Sequence, residues 1–321
     1  MTSTTARPRA TTRGTAGPPA QKRSRFRKLT PQERRNMRLG LAFISPWIIG
    51  FLAFTVYPVI SSFRMSFTRY SGFGEPEWIG LDNYQLMFSD NLFWQSAYNT
   101  LYYTALAVPI GVVVALAMAI AMNRPLKEVG LYRAALYLPS ILPVFALSFI
   151  FIWLLNPRFG LANLILQWLG FQPINWLGDP SWSKISIVLL AQLGAGNTAL
   201  IFLAGLRAIP DTYYDAAQTD GAGIMHRFRH ITLPLLTPVI LYSLILGLTL
   251  GLQVFTQAYI MTGGGPVNST LFYVYYLYAN AFEYSRMGYA SALAWVLFIV
   301  TLVLALAVFK WAKRWVHYEL S

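Results

Sequence analysis

Residues 288–309 run for 22 positions without one charged side chain. A helix needs about 20 predominantly apolar residues to cross the hydrocarbon core of a bilayer, and a run of that length fits few other places. It belongs to the most apolar of six such stretches, covering about 39–63, 98–122, 131–155, 184–206, 235–261 and 288–311. The fourth is the least uniform, because Gln192, Gly194, Gly196 and Asn197 interrupt it. Polar groups inside a span usually face a bundle interior or a water-filled path. The chain is expected to be all-α, a polytopic membrane protein with six transmembrane helices.

Composition supports this class and excludes others. Hydrophobic residues make up 56% of the 321 and charged residues 12%, where soluble domains carry roughly 25%. The formal charge of +13 therefore does not mark a soluble nucleic-acid binder, which needs polar surface to spread that charge over. Cysteine is absent, which removes disulfides, thiolate metal sites and a cysteine nucleophile.

The basic residues are distributed unevenly. With six spans both termini share one side, and that side collects 20 of the 25 Lys and Arg, leaving Arg64, Arg69, Arg158, Lys184 and Arg286 on the other. The positive-inside rule then places both termini in the cytoplasm. Residues 1–36, rich in Thr, Arg, Ala and Pro, read as a disordered basic cytoplasmic arm, and 37–321 as the membrane domain. Attraction to anionic lipid and topology setting account for such an arm. A signal peptide is not expected, because the apolar run from Leu39 exceeds the ~7–15 residues of such a leader.

The segment 207–234 is too polar to span and too patterned for a plain connector. Pro210 and Asp211 suit a helix start, with Asp211 as the cap. A short helix through Asp215, Ala216 and Ala217 meets Gly221, where a positive φ suits a sharp turn. A second short helix follows as far as Pro234. The product is a helix-turn-helix on the cytoplasmic side, kept slim by Ala216, Ala217, Ala222 and Gly223.

This stretch resembles the EAA loop of permease subunits of binding-protein-dependent ABC importers. Asp215-Ala216-Ala217, Gly221, Ile231 and Leu233-Pro234 match that pattern, with Asp in place of the usual Glu; Ile209-Pro210 and Asp220-Gly221-Ala222 are similar to its carbohydrate-specific branch. The likeness extends over the chain after the arm. Gly80-Leu81-Asp82-Asn83-Tyr84, Asn99-Thr100, Gly263-Gly264-Gly265-Pro266 and Met287-Gly288-Tyr289-Ala290-Ser291-Ala292 look like the first permease of maltose- and glycerol-phosphate-type systems.

The resemblance implies a subunit in the bacterial cell (inner) membrane that passes a sugar inward by alternating access. It also implies its partners: a second permease forming a heterodimer, two ATPase subunits and an extracellular solute-binding protein. No G-x-x-x-x-G-K-S/T loop is present, so ATP falls to the ATPase subunits, and no cofactor and no catalytic residue is assigned to this chain. Contact with the ATPases falls to Asp215, Ala216, Ala217, Asp220, Gly221, Ile231, Leu233 and Pro234. Membrane lipid is a partner by class; nucleic acid is not.

For the solute path the candidates are the polar and small residues of the fourth and fifth spans: Gln192, Gly194, Asn197, Gly251, Gln253, Phe255 and Gln257, with Thr249, Thr256 and Tyr259 beside them. Neutral amides and hydroxyls suit an uncharged sugar, and aromatic faces suit its C–H faces. The resembled family's sugar contacts support Gly194, Asn197 and Gly251 in particular. The same amides can instead tie helices to one another or to the partner subunit. His226 and His230 sit four apart as a metal pair might, but Arg227 and Arg229 flank them and a solvated basic face is expected, with no metal. Two other classes make different demands. A secondary transporter or channel needs buried coupling carboxylates or an inverted repeat, and an intramembrane enzyme needs titratable groups within its spans. Neither feature stands out here.

Overall fold

A computed structural model describes residues 30–123 and 129–316. Residues 1–29 of the expected arm, and Arg124 and Lys127 of the loop after the second stretch, lie outside the described residues. The chain parts into two compact units, Met1–Pro58 and Val59–Ser321.

In the first unit, α1 (Pro31–Phe51) takes in the last six residues of the expected arm, 31–36. Its start is a capping box: Thr30 N–H donates to Glu33 Oε2 at 2.7 Å, and Glu33 N–H donates to Thr30 Oγ1 at 3.3 Å. Two orphan amides are thereby satisfied, with Pro31 at the first helical position where its missing N–H costs nothing. Pro46 deprives the Ala42 carbonyl of its helical donor, and the Ser45 hydroxyl supplies one at 2.9 Å. No residue of α1 is buried, as an apolar helix that meets lipid requires.

A π turn (Leu52–Val56) and then α2 (Tyr57–Met65) follow, and after them the strands β1 (Thr68–Arg69) and β2 (Glu77–Trp78). These two pair antiparallel, Thr68 opposite Trp78 and Arg69 opposite Glu77, a short hairpin in a chain expected to be all-α. Asn83, in α3 (Asp82–Ser89), holds it by donating to the Ser66 and Thr68 carbonyls at 2.8 and 2.9 Å.

The long α4 (Asn91–Met122) is central to the second unit. Around it run α5 (Val129–Ile141), α6 (Val144–Leu154), α7 (Leu161–Trp168), α8 (Pro180–Gln192) and α9 (Ala195–Ala208). Then come α10 (Asp211–Thr219), α11 (Ile224–Arg227), a π turn (Phe228–Thr232), α12 (Leu233–Leu235), α13 (Thr237–Leu252) and α14 (Thr256–Met261). The chain finishes with α15 (Tyr273–Tyr278), a π turn (Ala279–Glu283) and α16 (Met287–Ala312). α4 packs against α8, α9, α13 and α15. Ala115 and Ala119 of α4 meet Ala195 and Ala199 of α9 in one buried cluster, where small side chains let the two backbones approach closely.

Among the described residues three helices are long and apolar enough to cross a membrane: Pro31–Met65, Asn91–Met122 and Met287–Ala312. The third, fourth and fifth expected spans are not continuous. Gly130–Ile141 meets Val144–Leu154 at 97°, Pro180–Gln192 meets Ala195–Ala208 at 46°, and Ile224–Leu235 meets Thr237–Leu252 at 63°. The first break has a plain cause, since Pro143 cannot continue a helix and turns Leu142 away from it. The fifth stretch breaks again after Leu252, so that α14 is a separate short helix. Apolar composition alone does not register these interruptions.

Candidate functional site

Three of these breaks open on one cavity of about 460 Å³, within the range of pockets that hold small organic ligands. α5 and α6 supply Pro139, Ser140, Leu142 and Val144. α8, α9 and the link between them supply Gln192, Gly194, Asn197 and Thr198. Gly251, Gln253, Phe255, Thr256 and Gln257 come from the end of α13 and the start of α14. No Asp, Glu, Lys, Arg or His stands among the lining residues. Backbone that leaves a helix at membrane depth is tolerated where it is buried in protein or lines a wet cavity, and the break at 253–255 has such a setting.

All seven expected path residues line this one cavity. They differ in what their side chains touch. Asn197 and Gln253 are exposed, Gln257 is half-buried, and among the described residues none of the three amides has a hydrogen-bond partner. Gln192 instead leans on α4: its Nε2 donates to the Val188 carbonyl at 2.8 Å and reaches the Ala107 carbonyl at 3.5 Å. Its Oε1 is buried without a partner among the described residues. Gly251 is buried against α4, where a Cβ would stand 3.0 Å from Thr104 Cγ2, so a larger residue fits only if Thr104 shifts by a few tenths of an ångström.

Phe255 stacks on Tyr259 with ring centroids 5.3 Å apart and meets Tyr278 at 5.1 Å, part of an aromatic group beside the cavity. Tyr259 and Thr249 do not line the cavity, and the Thr249 hydroxyl bonds to its own helix at the Ile245 carbonyl, 2.9 Å away. Sequence reasoning missed Ser140, Thr198, Ser243 and Tyr103. For Ser140 a signal was present, a hydroxyl between Pro139 and Pro143 inside an apolar run.

In the segment 207–234, α10 and α11 flank a turn at Gly221, whose φ is +79°. Ala222 N–H donates to the Ala217 carbonyl at 2.9 Å and Gly221 N–H to the Gln218 carbonyl at 3.0 Å. This is the Schellman pattern, which satisfies the last carbonyls of α10 and demands a left-handed residue where Gly221 stands. Asp211 is not the cap: Pro210 occupies that position and Asp211 is the first helical residue. Pro210 already has the extended backbone of a cap residue, so the helix starts one residue earlier than a cap at Asp211 would allow. Nor does the second helix run regularly to Pro234. α11 passes into the π turn ending at Thr232, a widening just ahead of a proline whose ring crowds the preceding turn.

Asp215, Ala216 and Asp220 are exposed, and Ala217 is half-buried. Ile231, Leu233 and Pro234 are half-buried at the other end, and Tyr214 Oη lies 3.0 Å from Thr232 Oγ1, tying α10 to the π turn. The His226 and His230 rings stack at 4.0 Å, with His230 Nδ1 3.0 Å from the His226 carbonyl. Among the described residues no group of three or more metal-ligating side chains converges.

Residues 107–317 match the profile of the family described as binding-protein-dependent transport system inner membrane component. The chain is 42% identical to the "Probable ABC transporter permease protein YesP" of Bacillus subtilis over 89% of this chain and 94% of that one. It is 38% identical to the sulfoquinovosyl glycerol transport system permease protein SmoG of Agrobacterium fabrum, over 82% and 87%. A third relative, the arabinooligosaccharides transport system permease protein AraP of Bacillus subtilis, is 37% identical over 91% and 93%. In fold the chain resembles a bacterial ABC transporter involved in the import of alginate, with a TM-score of 0.78, 24% identity and 88% and 98% of the two chains covered. The chain thus belongs to the inner-membrane components of binding-protein-dependent transport systems, as a permease subunit in the cell membrane rather than an enzyme.

Proposed function

We propose that the chain is the sugar-translocating permease of an ABC importer and that the cavity at the helix breaks is its half of the solute path. The supporting observation is the convergence of all seven polar and small candidates from two separate stretches onto one uncharged lining. An uncharged sugar needs neutral donors and acceptors, which Asn197, Gln253 and Gln257 hold unspent. Phe255 offers an aromatic face. Relatives named for sulfoquinovosyl glycerol and arabinooligosaccharide transport support a sugar-containing cargo, the second of them an uncharged one.

In this reading the three long helices, the two bent pairs Gly130–Ile141 with Val144–Leu154 and Pro180–Gln192 with Ala195–Ala208, and α13 with α14 make six spans, and both termini face the cytoplasm. The segment 207–234 is then the coupling element. Asp215, Ala216, Ala217, Asp220 and Gly221 form the part that enters a groove on an ATPase subunit, and Ile231, Leu233 and Pro234 carry its movement into α13. A second permease closes the cavity, two ATPase subunits bind the ATP, and an external solute-binding protein delivers the sugar. Alternating access is a shift between two global states driven by differential binding at the ATPases.

Uptake of a labelled oligosaccharide into membrane vesicles carrying the assembled transporter tests the coupling. Ala216→Arg changes an exposed position and leaves the core intact. Uptake should fall at least tenfold with normal amounts of chain in the membrane; unchanged uptake would remove the segment from the coupling role.

A further inference from the structure

A second cavity, of about 400 Å³, lies between α13 and α16, lined by Leu241, Leu306, Phe309, Lys310, Ala312 and Lys313. Its floor is buried, with Leu241 5% and Ala312 3% exposed, and its rim is open, with Leu306 57% and Phe309 52% exposed. Positions 306, 309, 310 and 313 recur at helical spacing, so they form one stripe on α16. Along that stripe two apolar side chains come first and two ammonium groups last.

The position of the stripe says what surrounds it. Met287–Ala312 has the length and composition of a span, so the two lysines sit where the hydrocarbon ends. Trp311 and Trp315, with rings 5.3 Å apart, stand at the same level, where amphipathic aromatics favour the membrane interface. Lys310 and Lys313 are three apart on a helix, where like charges repel. Among the described residues neither has an ion-pair partner. The helix C-terminus favours the lysines but repels an anion, so attraction for an anion here comes from the two ammonium groups alone.

We propose that this groove binds one phospholipid with an anionic headgroup. An acyl chain lies along Leu306 and Phe309 over Leu241, filling the notch that the small side chain of Ala312 leaves. The phosphate sits between the ammonium groups of Lys310 and Lys313 and relieves their repulsion. Basic grooves between spans at the headgroup level commonly hold such lipids.

Native mass spectrometry of the full chain, in the assembled transporter extracted from membranes, tests the site. Bound phosphatidylglycerol is titrated in competition with phosphatidylcholine. Each ammonium near the headgroups is worth about fivefold in affinity, so the Lys310→Gln, Lys313→Gln pair should weaken phosphatidylglycerol retention about 25-fold. The Lys310→Arg, Lys313→Arg pair should retain it. Both pairs alter exposed side chains, and unchanged uptake shows that the chain is intact. Equal retention by wild type and the Gln pair overturns the proposal, as it would if a protein partner covered the groove. Inorganic phosphate displacing the lipid at equal concentration would assign the lysines to a soluble anion, and overturns it too.

Discussion

Lys184 Nζ donates to Asn99 Oδ1 at 3.2 Å, joining the first turns of α8 to the beginning of α4. The same ammonium lies over the rings of Tyr98 and Tyr102, at 5.2 and 4.9 Å from their centroids. The other end of Asn99 donates to the Asn268 and Leu271 carbonyls at 2.8 and 3.1 Å. One buried amide therefore holds α8 and also pins the turn after α14, where Val267 and Asn268 adopt φ of +50° and +56°.

Asn99→Leu fills the space but takes this partner from the Leu271 carbonyl and the Lys184 ammonium, and leaves the Asn268 carbonyl only the 3.3 Å bond from Gln95 Nε2. The expected loss is about 3 kcal/mol, since each buried unsatisfied group costs ~1–3 kcal/mol. Thermal unfolding of the purified chain in detergent measures it, and a variant as stable as the parent would deny this amide its role.

Asp90 links three elements by one carboxylate. Oδ1 accepts the Leu92 N–H at 2.8 Å as the cap of α4, while Oδ2 accepts from Tyr289 at 3.2 Å and from Tyr276. Burial, and then the bond to Asp90, push the Tyr276 phenol above its ordinary range, which keeps it a donor. Asp90→Ala should cost about 2 kcal/mol, the sum of a lost cap and stranded phenols. In a double-mutant cycle with Tyr276→Phe the coupling should be about 1 kcal/mol; strict additivity would mean the two groups do not interact.

Gly221→Val forces a β-branched residue into the left-handed region at φ +79°. The strain of about 1–2 kcal/mol falls on an exposed turn, so it should loosen that turn more than the whole fold. Hydrogen exchange of the Ala222 amide, which closes the Schellman turn, should quicken severalfold with little change in the melting temperature. Unchanged exchange would show that the turn accepts a side chain there.

The cavity residues separate into two groups with opposite phenotypes. Gly251→Ala pushes a methyl toward Thr104 and should cost about 1–3 kcal/mol of stability by overpacking. Gln253→Leu, at an exposed position, should leave stability within about 0.5 kcal/mol and still lower uptake. Melting temperature and vesicle uptake measured on the same preparations check the split.

Much of this arrangement was legible from the residues. A polar side chain inside an apolar run is costly, so Asn197, Gln253 and Gln257 stood out, and Gly221 was marked by the turn that only a left-handed residue completes. What was not legible depends on neighbours. Gln192 looked like Asn197 in the sequence, yet it leans on α4 because α8 passes the Ala107 carbonyl. Ser140 escaped notice because its hydroxyl bonds to the Tyr137 carbonyl at 2.7 Å, so it costs little in a span. The breaks in the third, fourth and fifth stretches were hidden because an average over ~20 residues is unchanged when two or three leave the helix. The hairpin at Thr68 and Trp78 is too short for any periodicity to announce it.

The absence of cysteine allows the most direct test of the solute path. Single Asn197→Cys, Gln253→Cys and Gln257→Cys chains, assembled with their partner subunits, are exposed to a charged thiol reagent with and without the transported sugar. Labelling should be at least tenfold faster than at Leu246→Cys, an exposed apolar position outside the cavity lining, and sugar should slow it. Labelling of the three no faster than at Leu246→Cys, or untouched by any transported sugar, would contradict the path.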